Sequence, residues 1–283
     1  MTLPRTTTLI LSWAWLGLFA VLPPGIILVI ALAHPAETVP PFGFAIDPGN
    51  FALAATDDLY RSAFWLSLRT ASISTVICLL IGYPMALAIA RAPERWRGPL
   101  LLALMLPFWT GFLMRINAWI GMLRDDGWIN EALTFLGFEP VRLLYTDTAL
   151  YIGMVYTYLP FMVLPVYARL AKLDVTLLEA AADLGASPFR AFLRVTLPLS
   201  LPGIAAGAAL VFIPSVGEYV IPDLLGGPGA QLIGRVMWDE FFQNRDWPMA
   251  SALAWLLLML LVVLPVCVRA MVNAARSRAH SAR

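Results

Sequence analysis

Along this chain long apolar windows alternate with short polar segments, and the windows carry no charge. Residues 6–36, 70–90, 98–114, 148–168, 195–217 and 247–268 hold no Asp, Glu, Lys or Arg. A helix needs about 17–25 predominantly apolar residues to cross the hydrocarbon core of a bilayer. Six such windows predict six transmembrane helices, at approximately 9–33, 66–90, 99–122, 148–169, 199–222 and 248–269. The expected fold is therefore an all-α integral membrane protein, a single transmembrane domain over 1–283. Soluble domains carry about a quarter charged residues. Here 13% are charged and 60% hydrophobic, which excludes an ordinary soluble core. The first window follows Arg5 and outruns the roughly 7–15-residue core of a signal peptide, without a small-x-small site near its end. It reads as a retained first helix.

Charge then sets the orientation. With the N-terminus in the cytoplasm, the inside segments hold twelve basic residues: Arg5, Arg91, Arg95, Arg97, Arg169, Lys172, Arg190, Arg194, Arg269, Arg276, Arg278 and Arg283. The outside loops hold only five: Arg61, Arg124, Arg142, Arg235 and Arg245. The positive-inside rule thus predicts both termini in the cytoplasm. Thirteen of the 18 carboxylates fall in the loops placed outside, an acidity that loop solvation alone would produce. Trp13, Trp96, Trp119, Trp128 and Trp247 lie near predicted span ends, as an aromatic belt. Cys78 and Cys267 sit inside apolar windows, and His34 and His280 stand apart, so no disulfide framework or metal site is indicated. A net charge of +1 with no basic run argues against nucleic acid as a partner.

One inside segment, 172–198, has more structure than a connector needs. Thr176-Leu177-Leu178-Glu179 has the form of a capping box, with Thr176 capping a helix and Glu179 reaching back to it. Ala180, Ala181 and Ala182 follow, and Gly185 is placed to end the helix. Ser187-Pro188 opens a second short helix as cap and first position, and Leu197-Pro198 closes it. The pattern predicts an elbow of two short helices hinged at Gly185. Its alanines would let another surface approach closely.

Glu179-Ala180-Ala181, three residues, Gly185, nine residues, then Val195-Thr196-Leu197-Pro198 resembles the EAA signature of ABC importer permeases, with Val195 where isoleucine is commonest. The resemblance implies a type I, MetI-like permease fold, and it makes Glu179, Ala180, Ala181 and Gly185 the residues that couple the pore to a cytoplasmic ATPase. Pro107-Phe108-Trp109-Thr110, the run 156–165, the run 211–227 and Asn244-Arg245-Asp246-Trp247-Pro248 are similar to the putrescine/spermidine branch of that family. This second resemblance implies a bacterial inner-membrane permease subunit forming half of a pore for a small cationic solute. Its implied partners are a second, homologous permease, an ATPase dimer and a periplasmic solute-binding protein, within the lipid bilayer. Another small organic solute, such as an amino acid derivative, is the alternative substrate.

The chain itself lacks the means to hydrolyse ATP. A P-loop needs Gly-Lys-Ser/Thr. The single lysine, Lys172, lies between Ala171 and Leu173, and the stretch 226–229 is glycine-rich but has no lysine. ATP and Mg²⁺ are therefore expected on a separate ATPase subunit, with no cofactor in this chain and no catalytic residue.

Prolines at 160 and 165 in the fourth window and at 198, 202, 214 and 222 around the fifth mark backbone breaks, which membranes tolerate where they pack on protein or line water. Glu218 is the clear carboxylate within a window edge, and an ion-coupled carrier would need several buried ionisable relays instead. Two readings of Glu218 stand at this point. Counted along a continuous helix from Ser200 it lies roughly 27 Å on, toward the outer face, where Arg115 is a candidate packing partner. Alternatively it reads cations together with Tyr219, Asp223, Tyr158 and Phe161, with Trp109 as a further lining group, since carboxylates and aromatic faces both suit an ammonium chain.

Overall fold

The structure, a computed structural model, describes residues 5–43 and 46–263. Helices make up almost all of it. In chain order they are α1 (Arg5–Ala31), α2 (Gly49–Thr56), α3 (Asp58–Arg91), α4 (Glu94–Met105), α5 (Phe112–Leu123), α6 (Trp128–Phe135), α7 (Asp147–Leu170), α8 (Thr176–Asp183), α9 (Pro188–Ala191), α10 (Leu197–Val216), α11 (Val220–Leu225), α12 (Ile233–Trp238) and α13 (Trp247–Val263). A two-residue hairpin, His34–Pro35 against Phe42–Gly43, follows α1. Among the described residues four helical segments are long and apolar enough to cross a membrane, or five with the bent pair of α4 and α5–α6 counted as one span. The expected sixth span begins with α13, and its part beyond Val263 lies outside the described residues.

Two compact units divide the chain. Among the described residues, the first joins 5–43 and 46–63 to 236–263. There Asn50 donates to the Ala31 and Ala33 carbonyls, each at 2.9 Å, and ties α2 to the end of α1. The buried carboxylate of Glu240 accepts from the Tyr60 hydroxyl at 2.9 Å and from the Asn244 amide at 2.9 Å. Asp246 caps α13 through the Met249 N–H.

The second unit, 64–235, is built around α7. Met154, Met162, Val163 and Val166 on this helix are fully enclosed. Its tightest partner is α10, because two glycines face it. A Cβ on Gly203 would meet the Pro165 carbonyl at 2.8 Å, and one on Gly207 would meet Met162 Sδ at 2.9 Å. Small residues four apart let two helix backbones approach where lipid supplies no hydrophobic drive, so packing has to hold the pair. Tyr83 on α3 adds a 3.1 Å hydrogen bond to Ser200 on α10.

Three expectations about helix limits change. The α3 helix begins at Asp58, eight residues before the expected span, because Asp57 accepts the Leu59 N–H at 2.7 Å and nucleates it there. Its 34 residues make about 51 Å of helix, well beyond the hydrocarbon thickness. The expected third span is not one straight rod: Leu106–Trp109 forms a 3₁₀ turn at Pro107, and the axis bends by 89° before α5–α6. Around the fifth span, Leu197-Pro198 does not close a helix. A π turn, Phe192–Thr196, carries α9 directly into α10, with the Leu197 N–H reaching back to the Phe192 carbonyl. The widened turn accommodates Pro198 near the start of α10, where the missing N–H disrupts little.

Candidate functional site

The elbow forms from local rules. Helix α8 ends in the left-handed residue Gly185, at φ +76°. The Gly185 N–H bonds the Ala182 carbonyl at 2.8 Å and the Ala186 N–H bonds the Ala181 carbonyl at 3.0 Å, the paired bonds of a Schellman stop. A Cβ at Gly185 would meet nothing within 4 Å, so conformation alone asks for glycine there. Ser187 Oγ then accepts the Arg190 N–H at 3.4 Å with Pro188 in the first position, and α9 starts as expected. The start of α8 differs. Thr176 lies inside the helix, and the side chain that caps it is Asp174, which accepts the Thr176 N–H at 3.0 Å. That N–H, with help from the threonine hydroxyl, holds the Asp174 carboxyl below its ordinary range. Glu179 does not reach back to the helix start. It is exposed, as is Ala180, while Ala181 is half-buried; the large apolar residues Leu177, Leu184 and Phe189 are exposed too. The signal for Asp174 was present in the sequence, an acid two residues before a helix, but the capping-box pattern at 176–179 competed with it.

The second group of predicted residues surrounds a break in the fifth span. Helix α10 stops at Val216, Gly217 to Tyr219 are non-helical, and α11 follows. Glu218 is thus in the break and not on a continuous helix. One carboxylate oxygen, Oε1, accepts the N–H groups of Tyr219 at 3.1 Å, Val220 at 3.0 Å and Ile221 at 3.5 Å. The other, Oε2, accepts the Tyr158 hydroxyl at 2.5 Å. One side chain thus receives the backbone N–H groups left open at the start of α11 and a phenol from a second helix. It holds the break to α7. Gly153, also on α7, lets α11 approach along its length, since a Cβ there would strike Leu225 at 2.5 Å and Ile221 at 2.9 Å.

Arg115 is not the partner of Glu218. Its guanidinium lies over the rings of Phe108 at 4.7 Å and Phe112 at 5.8 Å, with Nε and Nη1 enclosed and without a hydrogen bond among the described residues. Cation–π contact replaces the expected ion pair. Phe108 meets the edge of Phe161 at 5.5 Å, and Phe161 lies 6.3 Å from Tyr158. The rings therefore link the bend of the third span to the break of the fifth. Phe108 and Phe112 were missed as site residues because nothing in the sequence pairs them with Arg115 across the bend.

The remaining candidates sit differently. Tyr158 is buried, while Phe161 and Tyr219 each keep 37% of their surface exposed. Asp223 is exposed and pairs with Arg235 at 3.2 Å, so its charge already has a partner. Trp109 is 74% exposed, at the end of the 3₁₀ turn. No group of three or more His, Cys, Asp or Glu side chains among the described residues is arranged to hold a metal ion.

Comparison with known proteins places this geometry. Residues 1–280 match the family described as binding-protein-dependent transport system inner membrane component. The chain is 40% identical over 260 residues to the spermidine/putrescine transport system permease protein PotB of Haemophilus influenzae, covering 91% of this chain and 90% of that one. It is 45% identical over 198 residues to PotB of Escherichia coli K12, covering 69% and 72%. Among solved structures it resembles a bacterial ABC transporter involved in the import of the acidic polysaccharide alginate, with a TM-score of 0.71 at 20% identity over 95% of this chain and 94% of that one. The MetNI methionine ABC transporter in an inward-facing form matches with a TM-score of 0.56 at 19% identity, over 76% and 95%. These likenesses give the fold, the helical type I permease arrangement. The family match and the identities to permeases settle the kinship: this chain belongs to the binding-protein-dependent transport system inner membrane component family.

Proposed function

We propose that this chain is a permease subunit of an ATP-driven ABC importer for polyamines of the putrescine and spermidine class. The observation that carries the reading is its 40% identity to a spermidine/putrescine permease over nine-tenths of both chains. It is a transport component and not an enzyme. In this reading six spans cross the inner membrane with both termini in the cytoplasm, and the chain forms half of the pore beside a second, homologous permease. A periplasmic binding protein delivers the solute. ATP and Mg²⁺ are bound by an ATPase dimer that docks on the elbow, where Glu179 and Ala180 face solvent, Ala181 is half-buried behind them and Gly185 sets the angle.

The solute's route passes the aromatic surface at the break. Phe161 and Tyr219 supply half-exposed faces for an alkylammonium chain, with Trp109 as a further face, and Glu218 anchors the break that presents Tyr219. Tyr158 positions Glu218, and Asp223 with Arg235 contributes no net charge.

Uptake by the reconstituted complex tests the reading. Proteoliposomes holding both permeases and the ATPase, with binding protein outside and ATP inside, should accumulate labelled putrescine or spermidine. Amino acid derivatives should not compete. Uptake driven by an ion gradient without ATP, or accumulation of an amino acid derivative in preference to polyamines, would overturn it.

A further inference from the structure

A cleft of about 210 Å³ opens where α7 ends, α8 begins and α10 sets out, lined by Arg169, Lys172, Leu173, Asp174, Leu177 and Leu199. Helix α7 has 24 residues, hence about 36 Å of rise against a hydrocarbon core of about 30 Å. Its end at Leu170 therefore falls at headgroup level. Arg169 donates from Nε to the Leu199 carbonyl at 3.1 Å, which anchors the guanidinium across two helices and leaves its terminal nitrogens free. Neither Arg169 nor Lys172 has an ion-pair partner among the described residues. The single carboxylate in the lining, Asp174, is engaged by the Thr176 N–H. Two cations against one carboxylate leave the cleft positive. Leu177 and Leu199, 46% and 39% exposed, give it an apolar flank.

We propose that this cleft holds the phosphate of an anionic phospholipid headgroup, with the acyl chains leaving along Leu177 and Leu199. Guanidinium and ammonium groups suit a phosphodiester, and basic pockets between transmembrane helices favour anionic lipid. Leucines have no use in a site for inorganic phosphate. The inference rests on the membrane reading and not on the substrate, because its test involves no transport. Its position beside α8 puts a lipid phosphate against the elbow that couples the pore to the ATPase.

The test is lipid retention by the purified full-length chain, measured by native mass spectrometry after exchange into defined mixtures. Phosphatidylglycerol should be retained over phosphatidylcholine. Lys172→Gln, at an exposed position away from the core, should weaken retention roughly fivefold, the effect of losing one cation near an anionic surface. Arg169→Gln with Lys172→Gln should abolish the preference. Lys172→Gln keeps the proposal testable if loss of the Arg169–Leu199 bond impairs folding. Thermal unfolding with inorganic phosphate alone should show no saturable response. Equal retention of the two lipids, or unchanged retention by Lys172→Gln, overturns the proposal. A saturable response to inorganic phosphate that Lys172→Gln removes would assign the cleft to a free anion and also overturn it. So would loss of ATPase association in Lys172→Gln with lipid retention intact, which would make the cleft a protein contact.

Discussion

The elbow after α7 and the break after α10 are both helix–stop–helix units with a glycine at the turn, and each carries an acid, Glu179 within α8 and Glu218 in the break itself, but they meet their polar demands in opposite ways. In the elbow, Glu179 is exposed and the apolar residues Leu184 and Phe189 are 89% and 70% exposed. Its backbone is closed by its own Schellman bonds and by Asp174 and Ser187. In the break, Glu218 accepts three backbone N–H groups and a hydroxyl from α7. One unit is finished internally and keeps its surface for something else. The other is finished by its neighbour and becomes part of the framework. An acid in such a unit therefore has no fixed role: whether donors reach it decides whether it anchors the fold or remains available.

The largest effect separates the two units by side. In the proposed topology the elbow faces the cytoplasm and the break lies toward the outside. A cysteine introduced at 125–127 in a background lacking Cys78 and Cys267 should react fully with an impermeant thiol reagent added to intact spheroplasts. One introduced at 93–95 should react only after permeabilisation. The reverse pattern would exchange the sides of both units.

The next effect tests the internal closure of the elbow. Gly185→Val forces a branched residue into a left-handed conformation, at a cost on the order of 1–2 kcal/mol. There is no steric clash to add, since a Cβ there meets nothing. The variant should reach the membrane and lose substrate-stimulated ATPase activity in the assembled complex by roughly tenfold, the rate equivalent of that cost. Gly185→Asn, which tolerates the left-handed region, should retain most of it. Full stimulation by the valine variant would remove the elbow from the coupling path.

For the break the prediction is a thermodynamic coupling. Tyr158→Phe deletes the donor of the hydrogen bond to Glu218 and Glu218→Gln keeps one amide oxygen in place of two carboxylate acceptors, so each disturbs a contact worth roughly 1.5–3 kcal/mol before rearrangement. Both should lower the unfolding temperature, and the double variant should fall no further than the worse single one. In uptake, the anchoring role lowers the maximal rate of Glu218→Gln and leaves half-saturation unchanged. Tyr219→Ala and Phe161→Ala should raise half-saturation. Additive losses from the double variant would show that Glu218 and Tyr158 act apart. A raised half-saturation in Glu218→Gln alone would make the carboxylate a direct reader of the cation.

How much of each unit was legible depends on where its partners lie in sequence. Ser187-Pro188, the alanine run and Gly185 act on residues within five positions, so the elbow could be read from the chain. Thr176 was misplaced because Asp174 and Thr176 are both plausible caps two residues apart, and only the backbone path decides between them. In the break, Glu218 depends on Tyr158, 60 residues away, and Asp223 on Arg235. Arg115 lies over two rings that come together at the bend near Pro107. Span composition reveals that such groups are costly in a membrane, but it does not say which neighbour satisfies them. The continuity of α9 through a π turn into α10 escaped for a related reason, since Pro198 looks like a stop wherever the ladder is regular.

The smallest effect concerns the cap that opens the elbow. Asp174 is exposed, and its carboxyl is held below the usual range first by the Thr176 N–H and then by the threonine hydroxyl. A group whose folded pKa is depressed contributes stability above its unfolded value and loses it as pH falls through the folded one. The contribution should thus be complete at neutral pH and begin to fade as pH drops below about 4. Asp174→Asn retains an acceptor for the Thr176 N–H, so at neutral pH it should shift coupling and stability only slightly. It should instead flatten the acid limb of the elbow's hydrogen exchange, measured at the amides of 176–179 between about pH 3 and 5. Asp174→Ala removes the acceptor and should speed exchange at those amides at every pH, without moving the amides around Gly185, whose Schellman bonds close independently. If Asp174→Ala also loosened the Gly185 end, the elbow would be one cooperative unit rather than two separately capped turns. If it left 176–179 unchanged, the cap would have no influence on the helix it precedes.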